Sequence, residues 1–335
     1  MKILVTGGCG FIGSNFIKYL LTYLEFPSAV TVVNLDKQTY AGRGRNLEHI
    51  GLANHERYYL IAGDICDKGL VERVMAEEKP KMIINFAAES HVDRSIQDSG
   101  DFVMTNIVGT ANLLDAASKA GIQKFVQVST DEVYGSLMPD GPASKETDPL
   151  HPRSPYAASK AAAEHLALSY FHTHGLPVVV TRGSNTYGPY QFPEKLLPLF
   201  ITHLIDRKKV PLMWSSENPG LNVRDWIHVK DHCDAIWYVA ENGKNGEIYN
   251  IPGENERSNA WMTQKLLEIF RFGEEMIEHV PHRKAHDFRY AMDGSKLRQL
   301  GHLYFYPVEI EKELPALVEW YQKNENWWRP LKTAK

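Results

Sequence analysis

Residues 1–16, MKILVTGGCGFIGSNF, decide the fold class. A short apolar run from Lys2 to Thr6 enters a glycine-rich turn and leaves it into a segment with helical periodicity. Gly7, Gly10 and Gly13 follow G-x-x-G-x-x-G, a variant of the dinucleotide fingerprint. Glycine there lets the chain turn tightly and lets backbone N–H groups approach a pyrophosphate, which then sits on the helix N-terminus. On its own the pattern is also that of an ordinary turn. Between a first strand and a first helix it reads as a cofactor loop, with Phe11 and Ile12 beside the ligand.

Outward from that loop, short β-branched runs alternate with longer helical patterns, which predicts a doubly wound parallel α/β sheet. Strands are expected at 2–6, 30–35, 58–62, 82–87, 125–129 and 178–182, buried on both faces, with helices near 13–24, 68–78, 101–120 and 155–174. Gly121 and Gly175 stand where helix C-caps want glycine. Beyond residue 183 prolines loosen the pattern, and helices are expected near 195–207, 229–242, 258–271 and 309–323. The expected division is a Rossmann domain, 1–183, and a smaller, mostly helical substrate lobe, 184–335. Strands such as 247–251 are candidates to rejoin the main sheet, and 326–335 reads as a surface tail.

Composition narrows the function. The chain has 335 residues, 43% hydrophobic and 23% charged, which excludes disordered and fibrous classes. Lys+Arg 37 against Asp+Glu 41 gives a net charge of -4, which disfavours a binder of nucleic acid. No apolar run approaches the ~20 residues of a membrane span, and a strand opens at once where a signal peptide would stand. Three scattered cysteines and fourteen histidines suggest neither a disulfide framework nor a metal site. A soluble cytoplasmic protein is expected.

The second strand ends at Asp36, 23 residues past Gly13. An acid there accepts from both adenosine ribose hydroxyls and repels a 2′-phosphate, so the expected cofactor is NAD; Lys37 works against that preference. Asp64 and Ile65 are placed beside the adenine, and Ala87 and Ala88 supply small residues along the cofactor. Tyr156 and Lys160 form Y-x-x-x-K within SPYAASKAAAEHL, one helical turn apart on one face. The ammonium and a positive nicotinamide would lower the phenol's pKa and make it a base. Ser129 and Thr130 end an apolar strand and are followed by Asp131 and Glu132. Two adjacent carboxyls at that edge suit a general acid and a general base, although helix capping would also account for them.

The chain resembles the extended short-chain dehydrogenase/reductase superfamily and, within it, the dTDP-glucose 4,6-dehydratases. The likeness rests on TGGCGFIGSNF (6–16), AAESHVDRSI (87–96), TNIVGT (105–110), STDEVYG (129–135), SPYAASKA (154–161), SNTYGPYQFPEKLLPL (184–199), VRDWIHVKDH (223–232) and EIYNIPGENE (247–256). It implies that Tyr156, assisted by Lys160 and Thr130, takes the sugar O4 proton while hydride leaves C4. Glu132 then takes the C5 proton, Asp131 protonates the departing C6 hydroxyl, and hydride returns to C6. It implies substrate contacts at Asn185, Glu194, Lys195, Leu196, Arg224, Asn250 and Arg283, a retained NAD, and a homodimer through helices 101–120 and 155–174. Ion pairing is the competing reading of Arg283, and a structural role that of His91, Asp93 and Arg94. Departures fall in the substrate lobe: Trp214 stands where the family's base-stacking turn is expected, Gly183 replaces a cysteine, and Lys284-Ala285 replaces Pro-Gly. Trp214 would stack on thymine or uracil, and Gly183 suggests room for a bulkier sugar, so UDP-glucose and UDP-N-acetylhexosamines stay open. A 4-epimerase and a non-catalytic NAD-binding scaffold compete with dehydration; Asp131-Glu132 argues against the first and the intact Tyr-Lys set against the second.

Overall fold

The computed structural model describes residues 1–24, 30–301 and 307–333. Strands β1 (Lys2–Thr6), β2 (Thr31–Asp36), β3 (Tyr58–Ala62), β4 (Met82–Asn85), β5 (Lys124–Thr130) and β6 (Val178–Gly183) form a parallel sheet in the order β6-β5-β4-β1-β2-β3. Chain direction around the sheet reverses between β1 and β4, which opens a crevice at the strands' carboxyl ends. Ile3, Val5, Val126 and Val179 pack with Phe16 and Ile236 in the core on one face, while Leu4, Ile83, Phe125 and Val178 pack with Val74 and Leu114 on the other. Apolar runs on five of the strands follow from that double cover. The sixth departs from expectation: β3 is the sheet's edge, and its Tyr59 and Leu60 face solvent.

The remaining strands are β7 (Asn185–Tyr187), β8 (Val210–Met213), β9 (Val223–His228), β10 (Ile248–Ile251), β11 (Glu256–Ser258) and β12 (Ile277–Val280). β10 pairs in parallel with β6 and makes the large sheet seven-stranded. Helix Val229–Asn242 likewise packs against helix Phe11–Thr22. The second lobe is therefore not one continuous stretch of chain. Its own framework is a small sheet, β11-β9-β7, a parallel pair, β12-β8, and helices Leu196–Ile205, Asn259–Phe270 and Ile310–Lys323 around Phe200, Leu266 and Leu317.

Two expectations about helices are corrected. The expected helix 101–120 is interrupted: a π-helical turn, Val103–Gly109, precedes the regular helix Thr110–Ala120. The expected tail is instead helix Glu325–Thr333, with Trp327 and Trp328 fully buried in the second lobe. Spacing alone concealed it, because charged residues and Pro330 surround two aromatic anchors. Among the described residues no helix is long and apolar enough to cross a membrane.

Candidate active site

A cavity of about 320 Å³ follows the carboxyl edge of the sheet from β2 to the second lobe. At one end lies the glycine loop. Gly7 has φ +70°, and a Cβ there would sit 2.6 Å from the Ala87 nitrogen; one on Gly13 would meet the Gly7 carbonyl at 2.4 Å. Helix Phe11–Thr22 starts at Gly10 with no side-chain cap, so its first N–H groups face the cavity as an anion site. The loop is anchored from behind. Asn34 accepts from Gly8 N–H, and Asn46 donates to the Cys9 carbonyl while accepting from the Trp327 indole N–H at 3.0 Å.

Asp36 borders the cavity and accepts from Cys9 N–H (2.8 Å) and Gln38 N–H (2.6 Å). Burial nevertheless holds its carboxyl above the usual range. Lys37 pairs with Asp64 at 2.8 Å, so its charge is directed away from the place a 2′-phosphate would take. Burial pushes the Asp64 carboxyl up, but that pair and Cys66 N–H outweigh it and leave the group below its ordinary value. Ile65, Ala87 and Ala88 line the same end. A glycine cradle with no space for side chains, an uncapped helix start and a ribose-side acid that makes no ion pair among the described residues fit a dinucleotide.

The chemical end is built on β5 and helix Pro155–His174. Ser154 caps that helix by accepting from Ala157 N–H, Pro155 occupies its first turn, and Gly175 closes it at φ +65°. A fully buried fork fixes its rotation: Arg182 of β6 donates to both Glu164 oxygens and to the Tyr134 hydroxyl (2.7 Å). Tyr156 is thereby held against Thr130, with which it shares a side-chain hydrogen bond, and close to Glu132 and Asp131. Lys160 donates to the Val128 carbonyl at 2.7 Å, and burial, opposed by Glu164, lowers its pKa to about 8. Within the protein itself, burial and then Glu132 and Asp131 hold the Tyr156 phenol above its ordinary value, opposed by Thr130; the lowering expected from a positive nicotinamide concerns the cofactor-bound form.

Asp131 and Glu132 open a 3-10 turn after β5, capped by Thr130. Thr130 Oγ1 donates to Asp131 Oδ1 at 3.1 Å, whereas Asp131 Oδ2 is buried without a partner, as is Ser129 Oγ. Burial, Glu132 and Asp225 raise the Asp131 carboxyl well above its usual range. Glu132 is raised too, by burial, but Arg283, Lys195 and Arg224 pull it back toward ionisation. The two carboxyls thus differ in surroundings in the sense that separates an acid from a base.

Of the expected substrate residues, Asn185, Glu194 and Lys195 border the cavity. Glu194 accepts from the Tyr40 hydroxyl (2.8 Å) and faces His91 and Arg94. Leu196, Trp214, Arg224, Asn250 and Arg283 do not form its walls. Asn250 is fully buried, donating both amide protons to the Ser144 and Asp293 carbonyls and accepting from Tyr134, so only its oxygen keeps a lone pair free. Arg224 donates to the Val223 and Asp287 carbonyls and lies over the Tyr290 ring, which engages the fork expected to hold phosphate. Arg283 pairs with Asp93 at 3.4 Å but keeps a buried, unpartnered Nε. Trp214 stacks on His279, 39% exposed. The space beside Gly183 is not free for a sugar: a Cβ there would lie 2.4 Å from the His232 ring. Sequence reading missed His232, Tyr40, Glu89 and Thr105, all cavity-lining; only their positions inside the family motifs or beside Asp36 hinted at them.

Comparison with known proteins bears directly on this geometry. Residues 4–309 match the family model described as GDP-mannose 4,6 dehydratase. A dTDP-glucose 4,6-dehydratase of Streptomyces niveus is 48% identical over 99% of this chain and 96% of its own length. A solved dTDP-glucose 4,6-dehydratase from Streptomyces venezuelae, with NAD and TYD bound, superposes with a TM-score of 0.92 at 45% identity, covering 99% of this chain and 100% of that one. Another from Bacillus anthracis, in complex with NAD, superposes at 0.88 with 45% identity over 99% of each chain. With the glycine cradle, the Tyr-Lys helix and the paired carboxyls in one crevice, this chain belongs to the dTDP-glucose 4,6-dehydratase family.

Proposed function

We infer that the chain is an NAD-dependent hydro-lyase that converts dTDP-glucose to its 4-keto-6-deoxy derivative. The carrying observation is the Asp131-Glu132 pair, two unlike carboxyls beside Tyr156 over one cavity. When bound, NAD supplies the acceptor for the C4 hydride, the donor for C6 and a positive charge beside the Tyr156 phenol. Tyr156 then takes the O4 proton, with Thr130 hydrogen-bonded to it and Lys160 below. The C4 ketone acidifies C5, whose proton Glu132 removes, its ionised form favoured by Arg283, Lys195 and Arg224. Asp131, kept protonated by burial, gives its proton to the C6 oxygen, and water departs. Turnover needs Glu132 ionised and Asp131 protonated, so it should peak between their two values.

Asn185, Glu194 and Lys195 are assigned to the sugar, and Arg283, through its free Nε, to the diphosphate. The working form is a homodimer in the cytoplasm. Val103, Met104 and Val108, exposed on the interrupted helix, support the first point, and three free thiols the second. Incubation with a panel of nucleotide sugars, read by mass spectrometry, should show dTDP-glucose losing one water, with deuterium placed at C4 recovered at C6. Inversion at C4 without water loss would overturn the reading, and dehydration of a UDP sugar alone would overturn the base assignment.

A further inference from the structure

His232 has no part in the chemistry above, yet it is fully enclosed, lines the cavity and leaves Nε2 without a hydrogen-bond partner. Its other nitrogen, Nδ1, lies 2.8 Å from the Thr186 hydroxyl, which also lies 3.2 Å from the Ser184 carbonyl. A hydroxyl has one proton, and a carbonyl can only accept. Both contacts are satisfied together only when Thr186 donates to Ser184 and accepts from Nδ1–H. That tautomer leaves Nε2 as a bare acceptor, and burial lowers the ring's pKa to about 4, which keeps it neutral.

The position of that acceptor is equally defined. Gly183 is paired with Thr130 across β5 and β6, and the His232 ring covers the space a Cβ on Gly183 would fill. Tyr156, Thr130, Gly183 and His232 therefore run in one row across the cavity floor. The ring enters from helix Val229–Asn242, whose next residue, Cys233, contacts the Ile12 carbonyl of the glycine-loop helix. This is the dinucleotide side of the cavity; Glu132 and the cations that act on it lie toward the second lobe.

We propose that His232 is a positioning residue whose Nε2 accepts a hydrogen bond from the carboxamide N–H of the bound nicotinamide, fixing which face of the ring is turned toward Tyr156. The proposal rests on the NAD reading above. Gly183 takes part by admitting the imidazole, which any side chain at that position would displace.

The test uses 3-acetylpyridine adenine dinucleotide, in which a methyl group replaces the amide NH2 and no donor remains. The protein is equilibrated with equal NAD and analogue, and the bound pair is quantified by chromatography after denaturation. Wild type should favour NAD, and His232→Phe should reduce that preference about 10- to 100-fold, the range for leaving one buried acceptor unpaired. An unchanged ratio in His232→Phe would overturn the proposal. Should that variant fail to fold, ¹⁵N spectra of wild-type His232 decide: Nε2 should be unprotonated in the free protein and shift on binding NAD but not the analogue. A protonated Nε2, or equal shifts with both ligands, would overturn it. Wild-type protein that took up neither dinucleotide would instead remove the NAD reading and the proposal with it.

Discussion

Replacing Asp131 by Asn separates two roles of one buried carboxyl. The substitution keeps the size of the side chain and leaves Oδ1 able to accept from Thr130 (3.1 Å in wild type), while placing an amide where Oδ2 has no partner. Turnover should fall about 10²–10⁴-fold, the usual effect of removing a positioned acid. Stability should move the other way. The folded-state pKa of Asp131 lies well above its ordinary 3.8, so between those values the folded chain keeps a proton that the unfolded chain has lost. Rising pH then weakens wild type by up to about 1.4 kcal/mol per unit, whereas Asn titrates in neither state. Below the ordinary value both forms of Asp131 are protonated, and this group contributes no difference. Urea unfolding of both proteins at pH 4, 5, 6 and 7 should show the variant's relative stability growing with pH. A flat difference across pH 5–7 would mean an ionised Asp131 in the folded protein, and its assignment as the acid would fail.

Other outcomes follow from the same geometry. Tyr156→Phe should suppress the initial oxidation at C4 by a comparable ~10²–10⁴-fold, seen as the absence of any transient reduced-cofactor absorbance; wild-type transients would exclude Tyr156 as the base. Gly7→Ala forces a Cβ to 2.6 Å from the Ala87 nitrogen at φ +70°, so the purified variant should carry little dinucleotide, and wild-type content would refute a tight cradle. Trp328→Ala empties a fully buried site and removes an indole bond to the Tyr321 carbonyl (2.8 Å); denaturation should show a loss of about 3–5 kcal/mol, and less than 1 would restore a surface role.

The parts legible in the sequence were those governed by local rules. Helices Lys68–Glu78, Pro155–His174 and Val229–Asn242 lie where periodicity placed them, and the structure shows why their ends are local: Asp67, Ser154, Gly175 and His228 act on neighbours a few residues away. The glycine loop and the Tyr-Lys pair carry their meaning in their spacing. Long-range competition hid the rest. Arg224 and Asn250 read as ligand contacts in a linear motif, which does not show that carbonyls of residues 144, 287 and 293 accept from them within the fold. Gly183 looks like space until His232 arrives from a helix almost fifty residues later. The phenol's surroundings were only half legible: spacing shows the lysine one turn away, but not the burial and the two carboxyls that raise the pKa which a bound nicotinamide would have to lower.

The bridge from Trp327 through Asn46 to Cys9 has a consequence for biosynthesis. Trp327 is 281 residues downstream of its Asn46 partner, so the phosphate loop it steadies is made well before it. At about 5–20 residues per second, a ribosome needs roughly 15–55 s to cover that distance. During that interval Asn34 can already hold Gly8, but Asn46 lacks the indole bond that fixes its amide against Cys9. The final tightening of the phosphate loop thus waits for a helix made long after the strand-loop-helix itself.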